Sequence, residues 1–441
     1  MLGTGATIAE LAQNYRQGGR AEAVKVQLAR IADPAGEGVR TFFSTFDEQA
    51  LAQAQAYDRA SNPPALAGIT VSIKDLFDIA GQATAAGSTF LRKAPPAKRD
   101  ALVVQRLRKA GLIPIGRTNM TEFAYSGLGI NPHFGTPANP FDRAAKRIPG
   151  GSSSGAAVSV ADGMADVGLG TDTGGSCRIP AALCGLVGFK PTASRVPRDG
   201  VLPLSPTLDS VGPLARSVAC CAAVDSVLAD DPTPIAEVSV AQLRLGVPSA
   251  YVFDDVDATT AKAFEAALSR LSKAGAKIET VDASALLDIP KINHKGGFSA
   301  REAYLYHRAW IAEHGAEYDP RVVSRIVKGE SQTDEDERIL VRERQRLIAS
   351  VAHFDAFDAL VMPTTPLVAP TIAELADEAA YTRVNLLMLR NCTVTNTLDR
   401  CAISLPCHTP GSAPVGLMLM GAQGADRRLL GVAQAVESAL G

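Results

Sequence analysis

Two Gly/Ser-rich stretches carry the residues most suited to chemistry. They are Gly150-Gly151-Ser152-Ser153-Ser154-Gly155 and Gly170-Thr171-Asp172-Thr173-Gly174-Gly175-Ser176. Glycines in such turns let the backbone approach a ligand closely and aim N–H groups at it, and the serines are either turn formers or nucleophiles. A hydroxyl nucleophile needs a base. Lys74 follows the β-rich apolar run Gly68-Ile69-Thr70-Val71-Ser72-Ile73. A lysine at the mouth of a buried strand loses solvation, so its pKa falls and the neutral amine becomes a general base for serine. A surface lysine paired with Asp75 or Asp78 is the competing reading. Ser176 falls between a strand-like segment, Ala165–Leu169, and a short helix, Arg178–Cys184. At that corner the N–H groups of Thr173, Gly174, Gly175 and Ser176 are candidates to hold an oxyanion. A serine that only caps the helix is the competing reading there.

Other motifs fail on context. Gly151–Gly155 also spells Gly-x-Ser-x-Gly around Ser153, but the nucleophile elbow requires a preceding strand, and Asp142–Pro149 is polar and loop-like. No Gly-Lys-Ser/Thr closes a phosphate loop, and Gly168-x-Gly170 lacks the third glycine of a dinucleotide fingerprint. No metal-ligand spacing links the 6 histidines, so neither a metal nor a cofactor is expected. Together Lys74, Ser152 and Ser176 favour a Lys/Ser/Ser hydrolytic site over any His-based triad.

The elements that must position these residues alternate. The strand ending at Lys74, the amphipathic helix Leu102–Ala110 and the strand Leu112–Ile115 form one strand–helix–strand run. Leu243–Val247, the helix Ala258–Ala274 and Lys277–Val281 form another. This rhythm predicts an α/β protein with a mainly parallel sheet covered on both faces. Residues 1–60 read as helical. Between about 284 and 355 charged helical segments such as Asp334–Ile348 predict a helical insertion over the active site. Strands return at Ala359–Met362, Ala402–Leu405 and Gly416–Met420, and Arg427–Leu440 is a closing helix. Strands that complete the sheet from the C-terminal end predict one domain spanning 1–441.

Composition bounds the partners. A chain of 441 residues with 46% hydrophobic content buries a large core. A net charge of −2 argues against nucleic acid or an anionic membrane as a partner. No run is long and apolar enough for a membrane span, and no basic start precedes an apolar run as in a signal peptide. The 7 scattered cysteines without Cys-x-x-Cys fit a reducing compartment, so a cytoplasmic location is expected.

The segment Pro149–Thr192, with both glycine turns and Gly188-Phe189-Lys190-Pro191-Thr192, resembles the signature block of the amidase signature family. The resemblance extends through Val71-Ser72-Ile73-Lys74-Asp75, Asn119–Gly129, Val361-Met362-Pro363-Thr364 and Pro414-Val415-Gly416-Leu417. It implies a single α/β/α domain around a large mixed sheet, and hydrolysis of a carboxamide through an acyl-enzyme. Ser176 matches the nucleophile, Ser152 the bridging serine after a cis peptide bond, and Lys74 the base. Ser153 matches a serine hydrogen-bonded within the triad, and Asp172 and Arg178 match residues that scaffold the loop. Cys177 stands where the family usually has Ile or Val. Tyr125, Ser126, Gly127 and Leu128 match the loop lining the substrate pocket, with Met120 and Phe123 as further candidates. Met120, Phe123 and Tyr125 read equally well as core. Arg301, Arg321 and Arg390 are the candidates to read a substrate carboxylate.

The leading expectation is a free-standing amidase acting on small aliphatic or aryl amides, with family analogy leaving room for a homodimer. The alternatives are the A-type glutaminase component of a tRNA-dependent amidotransferase, an esterase using Ser153, and a catalytically silent scaffold of the same fold.

Overall fold

The computed structural model describes residues 8–15 and 18–441. The parts of the expected N-terminal helical region on residues 1–7, 16 and 17 lie outside them. The strands are β1 (Phe42–Thr45), β2 (Thr70–Lys74), β3 (Ile113–Thr118), β4 (Val167–Asp172), β5 (Val187–Lys190), β6 (Ser210–Ala215), β7 (Arg244–Pro248), β8 (Lys277–Val281), β9 (Ala359–Pro363), β10 (Ala402–Pro406) and β11 (Gly416–Met420). They join in one 11-stranded sheet, in the order β1-β3-β2-β4-β6-β5-β10-β11-β9-β7-β8.

The helices before the nucleophile turn are α1 (Ile8–Asn14), α2 (Arg20–Ala32), α3 (Gly38–Thr41), α4 (Asp47–Arg59), α5 (Leu102–Lys109) and α6 (Ser154–Ala161). After it come α7 (Arg178–Cys184), α8 (Val218–Ala229), α9 (Ala258–Lys273), α10 (Ile289–Ile292), α11 (Gly297–His314), α12 (Pro320–Ile326), α13 (Asp334–Ser350), α14 (Glu378–Thr397) and α15 (Asp426–Leu440). Every residue of β2, β3, β4, β6, β9 and β11 is buried, which is what helices on both faces of a central sheet require. Among the described residues, no helix is long and apolar enough to cross a membrane.

The sheet is large and mixed, as the resemblance implies, and this corrects the mainly parallel one that alternation alone predicts. β2 runs parallel to β3 and β4, and β7 runs parallel to β8 and β9. The pairings of β1 with β3, β4 with β6, β6 with β5, β5 with β10, β10 with β11, and β11 with β9 are antiparallel. The reason lies in the connections. β5 leads to β6, and β10 to β11, with no α-helix between them, and strands joined by a loop alone pair antiparallel. β1 interrupts the region read as helical; at four residues it is too short for a period-2 pattern to register. Between β8 and β9 the chain is helical. α13 opens on a capping box in which the Thr333 hydroxyl and the Asp336 carboxylate satisfy each other's backbone N–H groups. α14, which follows β9, was not anticipated, because Asn and Thr interrupt its apolar period.

Candidate active site

Small residues bring the serines down onto the sheet. Gly168 and Gly170 of β4 face α6. A Cβ at Gly168 would lie 2.9 Å from the Ala156 carbonyl oxygen, and one at Gly170 2.8 Å from Ser153 Oγ. Gly155 of α6 is equally close to its other neighbours, since its Cβ would meet the Thr41 carbonyl oxygen at the end of α3 at 2.5 Å and the Asn119 nitrogen just after β3 at 2.7 Å. The Ser72 and Ser159 hydroxyls bond at 2.8 Å, joining β2 to α6. With α6 seated this low, the turn that starts it places Ser152 over the end of β2.

Lys74 is fully buried there. Its Nζ donates to Ser152 Oγ at 2.7 Å and to Thr171 Oγ1 at 2.9 Å. Burial pushes the ammonium down to about 8, against the opposing pull of Cys177, Asp172 and Asp209. The surface-lysine reading does not hold. Asp75 is taken by Arg117, Nε to Oδ1 at 2.7 Å, and Asp78 accepts from Thr84. The Gly151–Ser152 peptide bond is cis, as the resemblance implies. Ser153 departs from its expected place. Its hydroxyl bonds the Thr171 carbonyl at 3.4 Å rather than a triad hydroxyl, while its N–H reaches the Ser176 carbonyl at 3.3 Å.

The turn from β4 to α7 is held from inside by a buried ion pair. Asp172 accepts from Gly175 N at 2.8 Å, Cys177 N at 3.1 Å and Arg178 Nη2 at 2.8 Å. Burial alone would raise the Asp172 carboxyl, but Arg178 outweighs it and holds the group far below the usual carboxylate range. Arg178 is itself fully buried and donates onward to Thr395 Oγ1 at 2.6 Å and Asn396 Oδ1 at 2.7 Å. Of the four N–H groups expected to face an oxyanion, that of Gly175 donates to Asp172 in this structure. Gly175 has φ +126, and a Cβ would stand 2.6 Å from that of Cys392. From outside, Thr173 Oγ1 donates to Asp209 at 2.5 Å. Burial pushes the Asp209 carboxyl up to about 6, even though Thr173 and the N–H groups of Ser205 and Leu204 bond to it.

Ser176 lines a cavity of about 260 Å³. Its hydroxyl has no hydrogen-bond partner among the described residues, so the Lys74–Ser152 contact is formed and a Ser152–Ser176 contact is not. Catalytic hydrogen bonds often close only around bound substrate.

Of the six predicted pocket residues, only Tyr125 and Ser126 line this cavity. Met120 and Phe123 belong to the main core, Phe123 with its ring 4.5 Å from His307 and 5.0 Å from Tyr318. Leu128 belongs to a second core cluster. Gly127 spends its backbone on Asn385 Oδ1 and the Gly151 N–H. The expected arginines do not reach the cavity either. Arg301 pairs with Asp334 and Glu337, Arg321 with Glu378, and Arg390 bonds Asn391 and the Val252 carbonyl. Arg325, Lys328 and Arg344 line the cavity instead, together with Asn385, Leu386 and Leu389 of α14. Sequence reasoning missed these, and also Thr171 and Asp209. Thr171 had a usable signal, its place inside the second glycine stretch; the wall residues had none, because distant helices converge only in the fold.

The fold and this site define a class. The Amidase family model matches residues 22–430, and the chain belongs to that family. It is 37% identical over 390 residues to 2-amino-5-chloromuconic acid deaminase of Comamonas testosteroni, covering 87% of this chain and 84% of that one. It is 33% identical to the A-type component of the glutamyl-tRNA(Gln) amidotransferase of Chromohalobacter salexigens, covering 98% of this chain and 96% of that protein. A crystal structure of an amidase superposes with a TM-score of 0.88 at 31% identity, covering 99% of this chain and 100% of that chain. The protein is therefore an amidase-family hydrolase of amide C–N bonds.

Proposed function

We propose that this protein hydrolyses a small carboxamide to a carboxylate and ammonia or an amine through an acyl-enzyme on Ser176. The observation that carries the reading is the buried Lys74, with Nζ 2.7 Å from Ser152 Oγ and a pKa lowered to about 8. A neutral Lys74 takes a proton from Ser152 as Ser152 takes one from Ser176. Ser176 Oγ attacks the carbonyl carbon, and the N–H groups of Thr173, Gly174 and Ser176 stabilise the oxyanion. The relay then runs backwards and protonates the leaving nitrogen. Water, deprotonated through the same path, releases the acid and restores Ser176. Ser153 stays outside this path, because its hydroxyl is turned to the Thr171 carbonyl. Seven buried free cysteines support a reducing, cytoplasmic setting for the reaction.

The test is ammonia release from acetamide, benzamide, indole-acetamide, malonamide and glutamine by the wild type, Ser176→Ala and Ser153→Ala. Release abolished in Ser176→Ala and retained in Ser153→Ala is the expected result; the reverse pattern transfers the nucleophile to Ser153. A second reading, the glutaminase component of a tRNA-dependent amidotransferase, is favoured by the match to the A-type component of such an enzyme over nearly the whole chain. Co-purification with partner proteins and glutamine as the sole substrate would establish it.

A further inference from the structure

The cavity at Ser176 has apolar walls and a one-signed charge. Leu204, Leu208, Phe298, Leu386 and Leu389 contribute to the walls. Its charged lining residues are Arg325, Lys328 and Arg344, with no Asp or Glu among the described residues. This is not the local background. Of the 11 Lys and Arg residues between 284 and 355, seven pair with a carboxylate. Among the described residues the four without such a pair are Arg308, Arg325, Lys328 and Arg344, and three of the four line the cavity. Glu302, on neighbouring α11, accepts from Ser205 and Thr207, and it and Asp399 act on Arg344 through space without forming an ion pair with it.

Both arginines are held in place by something other than a carboxylate. Arg325 Nη1 donates to the Tyr125 carbonyl at 2.6 Å, and its guanidinium lies 5.2 Å from the centre of the Tyr381 ring. Arg344 Nε donates to the Thr397 carbonyl at 2.8 Å, at the last turn of α14. Lys328 sits next to Gly329, where a Cβ would stand 2.0 Å from the Ala300 carbonyl oxygen. Glycine thus lets this turn press against α11 beside the cavity. Its ammonium has no partner among the described residues. Asn385 is 2% exposed, with Oδ1 accepting from Ser126 and from the Gly127 N–H. Its Nδ2 has no partner among the described residues, which leaves a donor at the cavity.

Arg325 and Arg344 are half-buried beside these walls without an ion-pair partner among the described residues, so an anion that joins them offsets part of their lost hydration, and the exposed Lys328 adds a third positive charge. We propose that the amide cleaved at Ser176 carries a carboxylate on its acyl part, seated among Arg325, Lys328 and Arg344. This deepens the amide-hydrolase reading and rests on it. A free α-amino acid fits poorly, since no acidic side chain among the described lining residues meets its ammonium.

The test compares matched pairs, succinamic acid with butyramide and adipamic acid with hexanamide, by kcat/KM for ammonia release. We expect the acid to be preferred by roughly 50-fold or more in at least one pair, with the preference falling at least about fivefold in Lys328→Gln. It falls further in Arg344→Gln and is partly restored in Arg344→Lys; such charge pairs are lost with salt. Equal turnover of both members of both pairs, or a preference untouched by Lys328→Gln and Arg344→Gln, overturns the proposal. Calorimetric binding of succinate and adipate to Ser176→Ala separates it from the chemistry. A dicarboxylate that binds and is weakened by Lys328→Gln supports the anion site even if no amide is cleaved. Failure of both to bind overturns the site even if neutral amides are cleaved.

Discussion

The floor of the active site and its wall are built by opposite rules. The floor, where β2 and β4 meet α6 and α7, is buried, and its glycines stand where a Cβ would collide with backbone at Gly155 and Gly168 and with packed side chains at Gly170 and Gly175. Lys74, Asp172 and Arg178 are ionisable groups with no exposure, each fixed by partners. The wall, from α11 to α14, is charged and half exposed, and its lining residues reach the cavity from separate helices. A site in which reactive groups are over-determined while their surroundings are loosely held separates chemistry from selectivity. Substitutions in the floor should therefore change rate and stability together, and those in the wall should change preference alone.

The sharpest way to break that comparison is at the floor. Ser176 is its one expected exception, because its hydroxyl faces the cavity and bonds nothing among the described residues: Ser176→Ala should lower kcat by about 10⁴-fold or more, with the melting temperature near that of the wild type. Lys74→Met should lose as much, with a gain in stability. Lys74 has its pKa lowered to about 8 in the folded protein, against about 10.4 unfolded. Burying it below pH 8 therefore opposes folding by about 3 kcal/mol, and this cost disappears as pH rises from 8 to 10.4. Lys74→Met should unfold at higher denaturant than the wild type at pH 7, with the gap closing toward pH 10. A variant less stable than the wild type at pH 7 would refute the assignment of a strained, neutralisable lysine.

The same group sets the pH profile. The base works only when neutral, so kcat/KM should rise with pH, roughly tenfold per unit below pH 7, and level off above about 8. A plateau already reached at pH 6 would mean that another group titrates. At Asp172, replacement by Asn leaves Arg178 a buried cation without its carboxylate and should destabilise the fold by about 3–5 kcal/mol, read by urea unfolding. A smaller loss would mean that Asn396 and the carbonyls around Arg178 hold it unaided.

The two regions were also unequally legible. The floor could be read because its chemistry lies in contiguous motifs, and each glycine there answers a local demand: Gly175 for a left-handed φ, Gly170 for the close passage of Ser153. The sheet was legible as α/β, but its direction was misread at β5–β6 and β10–β11, where short loops replace the helical crossovers that alternation assumes. The wall was illegible because Arg325, Lys328 and Arg344 look like Arg301 and Arg321 in sequence. All five sit in charged helical segments, and only the packed helices decide which of them find a carboxylate. Phe123 was read as pocket or core with equal weight, and the aromatic cluster with His307, Trp310 and Tyr318 decides for core.

The smallest expected effect tests the wall by itself. Leu386 of α14 is 63% exposed, yet it borders the cavity. Its side chain contributes little to the fold, so Leu386→Gln should change stability by no more than about 0.5 kcal/mol. A substrate covering that side chain buries apolar area that water otherwise meets, and full burial of a leucine is worth about 1.5–3 kcal/mol. Partial cover by a small amide should then raise KM about two- to tenfold for amides with an apolar acyl chain and leave acetamide unchanged, with kcat held because Leu386 is remote from the Lys74–Ser152 hydrogen bond. If kcat fell as much as KM rose, or if acetamide suffered equally, the wall would be part of the catalytic floor, and the division drawn between the two regions would fail.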